Sequence, residues 1–474
     1  ASSLTNSTPL SSSHLTPPTT RELGGMTVDC PHRERRGYGG DGHTSYQFAL
    51  ANYPVGAYFH KWQRDFADVQ GEDTKWDTPA GAGFVPNTAP TVSGGGGPAW
   101  SGFTVTNPWQ TYNTFGDVTI LEDMYPTMVK LLAFYENKTL AADGLLHPWG
   151  PSQWDFLGDW ITPHGSEGNV TSPENLLFNN CYLHYITTLL AKISAILGDA
   201  AASTKYDADA VHLAAAVNKA FGNASTGVYV DTLQTHAVMP LMSPGLVPKA
   251  VASKTWDNLA NQILNVNSGH LDTGLTGTYV LVKVLMEAGR NDLIFAFANK
   301  TDFPSYGYFL ELGYTTWPEQ WDVSSGNSLM HGCYNAIGLW FIEGVAGIRV
   351  HASEYPPLTI RAGVDAGDIT WAKGHRVALH GRASSSWKLL PKDSSSSFTH
   401  NLTIPAGGVA KVMVPCMEPN CVAEVTEGGQ PVAGGGPGVV GVSVLGVETV
   451  NTISYAVLNV VAGSYSFQSG WSRV

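Results

Sequence analysis

Two acidic segments, far apart in the chain, hold the residue types needed to move protons. The first, Asp29-Cys30-Pro31-His32-Arg33-Glu34-Arg35-Arg36-Gly37-Tyr38-Gly39-Gly40-Asp41, sets three carboxylates on a stretch broken by one proline and three glycines. It reads as a shaped loop that leads into a helix starting near Thr44 and converges several side chains on one point. If Glu34 faces an apolar wall, or the carboxylates of Asp29 and Asp41, its charged form is disfavoured and it serves as an acid; an inward-pointing Arg33, Arg35 or Arg36 acts in the opposite sense. The second segment, Thr315-Thr316-Trp317-Pro318-Glu319-Gln320-Trp321, places Glu319 between two indoles and ahead of a helix carrying His331. A carboxylate so placed suits a base that orients water. One acid and one base together are the equipment for splitting a sugar acetal. Read singly, the first segment fits an exposed ion-pair mesh equally well, and the second a helix-start carboxylate.

The composition narrows the substrate. With 26 basic and 39 acidic residues the formal charge is −13, which repels phosphate backbones and anionic lipid surfaces, so nucleic acid is not an expected partner. The 14 Trp, 19 Tyr and 17 Phe, among only 14% charged residues, supply flat rings that suit either a core or the apolar faces of sugars. No apolar run is long enough for a membrane span; the most apolar stretch, near Leu189 to Leu197, is interrupted by Lys192 and Ser194. Sequons at Asn6, Asn137, Asn169, Asn223, Asn299 and Asn401 point to a secreted or extracellular protein. Cys416 and Cys421 flank a turn-like Met-Glu-Pro-Asn and can close a short loop, which suits an oxidising compartment. There is no His-Glu-x-x-His pair and no zinc-ligand cysteine spacing, so neither a metal nor a cofactor is expected. The glycine runs at 94–97 and 434–436 lack the Lys-Ser/Thr of a phosphate loop.

Apolar residues recur at helical spacing over Thr44–Val69, Val118–Tyr135, Glu174–Leu197, Tyr206–Phe221, Lys254–Val266, Gly277–Ala288 and Leu329–Val345. Between these helices lie a Gly/Pro-rich loop, Thr78–Pro108, and a Trp-rich loop, Pro148–Pro173, and loops of such length usually carry function. After Val350 the pattern turns to short alternating segments such as Arg376–His380, Val409–Val414, Val439–Val444 and Tyr455–Val461, the signature of a β-sandwich. The expected organisation is a flexible Ser/Thr/Pro-rich arm over 1–24, a catalytic domain over 25–350 and a β-sandwich over 351–474.

The loop Asp29-Cys30-Pro31-His32-Arg33-Glu34-Arg35, with Gly37 and Gly40-Asp41, resembles the signature loop of the α-L-rhamnosidases of glycoside hydrolase family 78. Pro98-Ala99-Trp100, Asn107-Pro108-Trp109, Gly116-Asp117, Gly158-Asp159-Trp160, His270 to Thr278, Phe303 to Tyr308 and Gly313 to Thr316 follow in that family's order. Glu319, Trp321, Asn327, His331 and Leu402-Thr403-Ile404-Pro405 complete the match, which covers about residues 25 to 470. The resemblance implies an (α/α)6-barrel catalytic domain followed by a C-terminal antiparallel β-sandwich, and an inverting hydrolase that removes terminal α-L-rhamnose from polysaccharides or glycosides. It implies that Glu34 is the general acid and Glu319 the general base. By the same resemblance Asp29, Arg33 and Asp41 hold the sugar hydroxyls, Tyr38, Trp100 and Trp160 wall the ring, and His331 binds the sugar. No metal takes part in that step.

The chain departs from the family pattern at four places. Its loop is one residue shorter between Arg33 and Glu34, Tyr38 and Pro318 stand where tryptophan is usual, and only a short segment precedes Asp29. The last departure implies a missing first barrel helix, carried on a separate N-terminal chain of the same precursor or lying outside this polypeptide. Two alternatives remain beside the leading reading: an inverting six-hairpin glycosidase acting on another sugar, and a catalytically silent, lectin-like or structural glycoprotein component of the same fold.

Overall fold

A computed structural model describes residues 29–31, 33–72, 81–140, 142–150, 152, 154–165, 169–390, 398–433 and 438–473. The arm expected over 1–24 lies outside them.

Six inner helical segments form a ring: Gly39–Asn52, Phe103–Phe115, Pro173–Ile196, Gln234–Val238, Leu275–Glu287 and Ala336–Leu339, the last continued by the wider turns of Trp340–Val345. Each packs on the next, and the last closes on the first. Their burial explains their composition. All of Leu275–Glu287 except its final residue is buried, and so is most of Phe103–Phe115, so these helices are surrounded by protein and show no single apolar stripe. The outer helices are one-sided. Gly56–Asp68 buries Phe59, Trp62, Gln63 and Phe66, spaced one face apart along 3.6-residue turns. With Thr119–Lys138, Ala200–Phe221, Lys249–Asn261 and Asn291–Ala298 it packs on the outside of the inner ring. Among the described residues no outer helix packs on both Gly39–Asn52 and Ala336–Val345, where β-domain residues 371–378 make contact instead.

The differences from the sequence reading have local causes. The expected helix Thr44–Val69 is two helices, because Pro54 lacks an amide hydrogen and biases Tyr53 towards the extended backbone seen there. The first of them begins at Gly39, so Gly39, Gly40 and Asp41 form its opening turn rather than a loop. Phe103–Phe115, read partly as loop because of the neighbouring glycines and Pro108, is an inner helix. In the expected helix Leu329–Val345, residues 329–335 are irregular, and His331 lies on a loop.

The β-domain follows two residues after the last helical turn. Its strands are β1 (Ile348–Val350), β2 (Leu358–Arg361), β3 (Trp371–Ala378), β4 (Gly381–Leu389), β5 (Phe398–Pro415), β6 (Thr426–Glu427), β7 (Gln430–Pro431), β8 (Val442–Val450) and β9 (Ile453–Ser469). The long β5 and β9 run through both arms of the sandwich. The start of β5 pairs with β4, and the part after a register break between Ile404 and Val409 pairs with β2. All pairs are antiparallel except β2 with β5. Arg376 of β3 forms a buried ion pair with Glu343 of the last inner helix, while Trp387 Nε1 donates to Val345 O at 2.8 Å, fixing the β-domain on the barrel. Cys416 and Cys421 are disulfide-bonded, as their spacing allowed.

Candidate active site

All nine residues singled out in the sequence line one cavity of about 510 Å³ at the mouth of the barrel. The first acidic segment is folded on itself at its lower edge. Asp29 N donates to Arg36 O at 3.0 Å, and Asp29 Oδ1 accepts from Arg36 N at 2.8 Å. This closure buries Asp29 and lifts Glu34 to the exposed rim, with Arg35 in a left-handed backbone conformation (φ 55°). Glu34 therefore has no apolar wall around it; its neighbour is the Tyr38 hydroxyl, which hydrogen-bonds to it. Burial, and then the Glu34 charge, push the Tyr38 phenol well up, so Tyr38 stays a donor. Gly39 and Gly40 are required by a close approach: a Cβ on either would stand 2.4 or 2.5 Å from Trp100 atoms. Trp100 is thereby seated against the helix start, as one wall of the cavity.

The second acidic segment is stitched to the loop after it. Glu319 N donates to Ser328 O (2.8 Å), Ser328 N to Glu319 Oε2 (3.2 Å), and His331 N to Trp317 O (2.8 Å). Glu319 is buried, and Arg33 reaches across the cavity to its Oε2 at 2.6 Å while also contacting Asn327 Oδ1 at 3.3 Å. Arg33, expected on a sugar hydroxyl, thus grips the candidate base. The flanking indoles are not cavity walls either. Trp321 stacks on Tyr334 with centroids 4.0 Å apart and donates from Nε1 to Thr273 O at 2.8 Å, and Trp317 packs edge-on against Tyr306. They anchor the loop from behind.

Asp41 and His331 form the floor. His331 Nε2 lies 2.6 Å from Asp41 Oδ1, an ion pair rather than a well-aligned hydrogen bond, and Nδ1 lies 4.0 Å from Glu319 Oε2. Burial works against charge on His331, but Cys333 and Asp41 outweigh it and push the imidazole up. Burial also pushes the Cys333 thiol up to about 11. At neutral pH Cys333 is therefore uncharged, and Asp41 is the anion that holds the His331 proton.

The remaining wall comes from the two long loops. Asn87, Ser93 and Gly94 belong to the Gly/Pro-rich loop, and Trp154, Leu157 and Trp160 to the Trp-rich one. Only Trp160 was singled out beforehand; loop length was the signal available for the others. Asp159, buried beneath Trp160, accepts from Thr235 Oγ1 (2.6 Å), Gly274 N (2.7 Å) and Gly277 N (2.8 Å), at the start of the inner helix Leu275–Glu287. It positions Trp160, whose carbonyl accepts from Leu275 N at 2.8 Å.

Residues 19–345 match the family model described as the bacterial α-L-rhamnosidase six-hairpin glycosidase domain, and residues 347–429 the bacterial α-L-rhamnosidase C-terminal domain. The chain belongs to this family. Among its relatives, an α-L-rhamnosidase of Streptomyces avermitilis is 29% identical over 415 residues, covering 84% of this chain and 36% of the relative. One of Formosa agariphila is 28% identical over 344 residues, covering 70% and 35%. The solved structure of α-L-rhamnosidase from Dictyoglumus thermophilum superposes with a TM-score of 0.77 at 26% identity, over 94% of this chain and 47% of that one. The Streptomyces avermitilis enzyme complexed with L-rhamnose gives 0.77 at 25% identity, over 94% and 39%. The chain therefore spans less than half the length of these relatives. No described helix is long and apolar enough to cross a membrane.

Proposed function

We propose that this chain carries an α-L-rhamnosidase centre working by single displacement with inversion. The observation that carries the proposal is the shared cavity, which sets Glu34 on its rim and Glu319 in its floor among Trp100, Trp154, Trp160 and Tyr38. The names of the relatives, one of them solved with L-rhamnose, support the sugar. In this reading Glu34 gives its proton to the glycosidic oxygen as the bond to C1 breaks. Glu319 takes a proton from a water whose oxygen forms the new bond to C1 from the opposite face. Solvent then returns each carboxyl to its starting state. Arg33, ion-paired to Glu319, fixes the direction of the accepting oxygens, while the Asp41–His331 pair and Asp29 face the hydroxyls.

A silent, lectin-like relative would need neither glutamate at the cavity, and both are there. Incubation with a panel of chromogenic glycosides tests the reading: release from the α-L-rhamnoside alone supports it. Release from a different glycoside would favour another sugar, and sugar binding without release would favour the silent alternative.

A secreted glycoprotein is the setting we infer. The described sequon asparagines, Asn137, Asn169, Asn223, Asn299 and Asn401, are all exposed, and Cys416–Cys421 is a disulfide. A mass loss on deglycosylation of the native protein checks it, and an unchanged mass would contradict it. We further propose that a helix from a separate N-terminal chain packs between Gly39–Asn52 and Ala336–Val345, where Phe341 and Tyr53 are exposed and Tyr53 meets Phe48 edge-on. Native mass spectrometry of source material that found this chain alone would count against it.

A further inference from the structure

Behind the cavity floor lie two thiols for which the proposed hydrolysis has no use. Cys30 and Cys333 are fully buried, and with Cys181 they are the free cysteines of the chain. Ligand atoms of Asp29, Cys30 and His331 all lie within 4.8 Å of one another, and so do those of Asp41, His331 and Cys333. His331 is the shared vertex. It is more than nine-tenths buried, and its Nδ1 has no hydrogen-bond partner. Asp41 Oδ1 likewise lacks an aligned donor. Sequence spacing concealed the group, since no two of its sulfur and nitrogen donors come from a recognisable metal motif. In a tetrahedral site with metal–sulfur bonds of ~2.3 Å and metal–nitrogen bonds of ~2.0 Å, neighbouring ligand atoms stand about 3.5 Å apart. Small side-chain rotations therefore bring either triad to bonding geometry.

We propose that this floor binds a thiophilic divalent cation, Zn²⁺ or Cd²⁺, on His331 with the sulfur and carboxylate of one of the two pairs, Asp29–Cys30 or Asp41–Cys333. A thiol and an imidazole beside a single carboxylate select such ions, whereas Ca²⁺ and Mg²⁺ want six or more oxygens that the floor does not offer. Binding sends the thiol and imidazole protons to solvent. Asp29, Asp41 and His331 are also the groups placed against the sugar, so cation and L-rhamnose exclude each other; this last clause rests on the rhamnosidase reading, and the cation site does not.

The test uses reduced, metal-free protein and cadmium. Cd²⁺ is expected to raise a thiolate charge-transfer band that EDTA removes. In ¹¹³Cd NMR the bound ion should resonate where sulfur ligands place it. The C30S/C333S double variant should lose the band and bind more than ~100-fold more weakly, since even outer-shell partners are worth about 10- to 100-fold. C181S should bind as the wild type does. No band in the wild type, a cadmium resonance typical of oxygen ligands alone, or unchanged binding in the double variant would each overturn the site. The ¹¹³Cd signal needs no variant, so a double variant that failed to fold would not rescue the proposal. L-Rhamnose should displace the ion; binding that ignored L-rhamnose would leave the cation site standing and remove the sugar from this floor.

Discussion

Replacing Asp41 by asparagine removes the anion that keeps His331 protonated, and the structure gives the size of the effect. At the 2.6 Å separation of Nε2 and Oδ1 the attraction is about 6 kcal/mol for an effective dielectric near 20. Burial of both groups cancels roughly half, leaving about 3 kcal/mol, enough to move an imidazole by about two pH units. The sign is fixed by linkage. His331 has a folded value raised above the ~6.5 of the unfolded chain, so the native state holds one more proton between those two values. Its stabilisation is complete below pH ~6.5 and declines by about 1.4 kcal/mol per pH unit above it. In D41N burial prevails, the imidazole is neutral above pH ~6.5 in both states, and the decline disappears. Urea unfolding should therefore show D41N less stable by about 3 kcal/mol at pH 6.5, with the deficit narrowing as pH rises. In NMR the wild-type His331 ring should not titrate between pH 5 and 8. A ring titrating near its ordinary value, or a deficit independent of pH, would refute the reasoning.

Other buried histidines act in the opposite direction. Burial lowers His43 to about 3 and His184 and His400 to about 4, so the unfolded chain binds more protons below pH ~6.5. Stability should fall by up to about 4 kcal/mol per pH unit from pH 6 towards 4, and a flat acid limb in urea titrations would contradict this. E34Q and E319Q should each retain their thermal midpoints within a few degrees while losing about 10²- to 10⁴-fold in kcat on an α-L-rhamnoside. A wild-type rate from either variant would remove its assignment. D159A leaves the amides of Gly274 and Gly277 without their acceptor and should cost about 2–4 kcal/mol, with a larger rise in KM than fall in kcat because Trp160 loses its seat. R376A leaves the buried Glu343 carboxylate with only the looser Arg349 contact at 3.8 Å and should cost about 3 kcal/mol while kinetics at permissive temperature stay unchanged.

Local chemistry made much of this site legible. The acidic loop, the second glutamate and His331 all reach the cavity because glycines, proline and charged groups are costly to place without a purpose, and they stand out from an otherwise periodic chain. Long-range pairing was not legible. That Arg33 would reach Glu319 depends on which guanidinium turns inward, and the sequence offers Arg33, Arg35 and Arg36 alike. Trp317 and Trp321, adjacent to Glu319 in sequence, face the opposite way because the loop's backbone bonds to Ser328 and Trp317 turn them into the aromatic core. The inner helix Phe103–Phe115 escaped for a related reason: buried on every side, it carries no apolar stripe to detect. The β-strands were easier, since alternation survives in β3 to β5, whereas Pro405 and the glycines 407 and 408 mark the register break in β5 without saying that it divides the strand between β4 and β2.

The central claim is that Glu34 and Glu319 work on opposite faces of one anomeric carbon. Proton NMR of the first sugar released from an α-L-rhamnoside tests it most directly, before mutarotation mixes the anomers. The account predicts β-L-rhamnose as the initial product. Initial release of the α-anomer, or no rhamnose at all from folded protein, would contradict it.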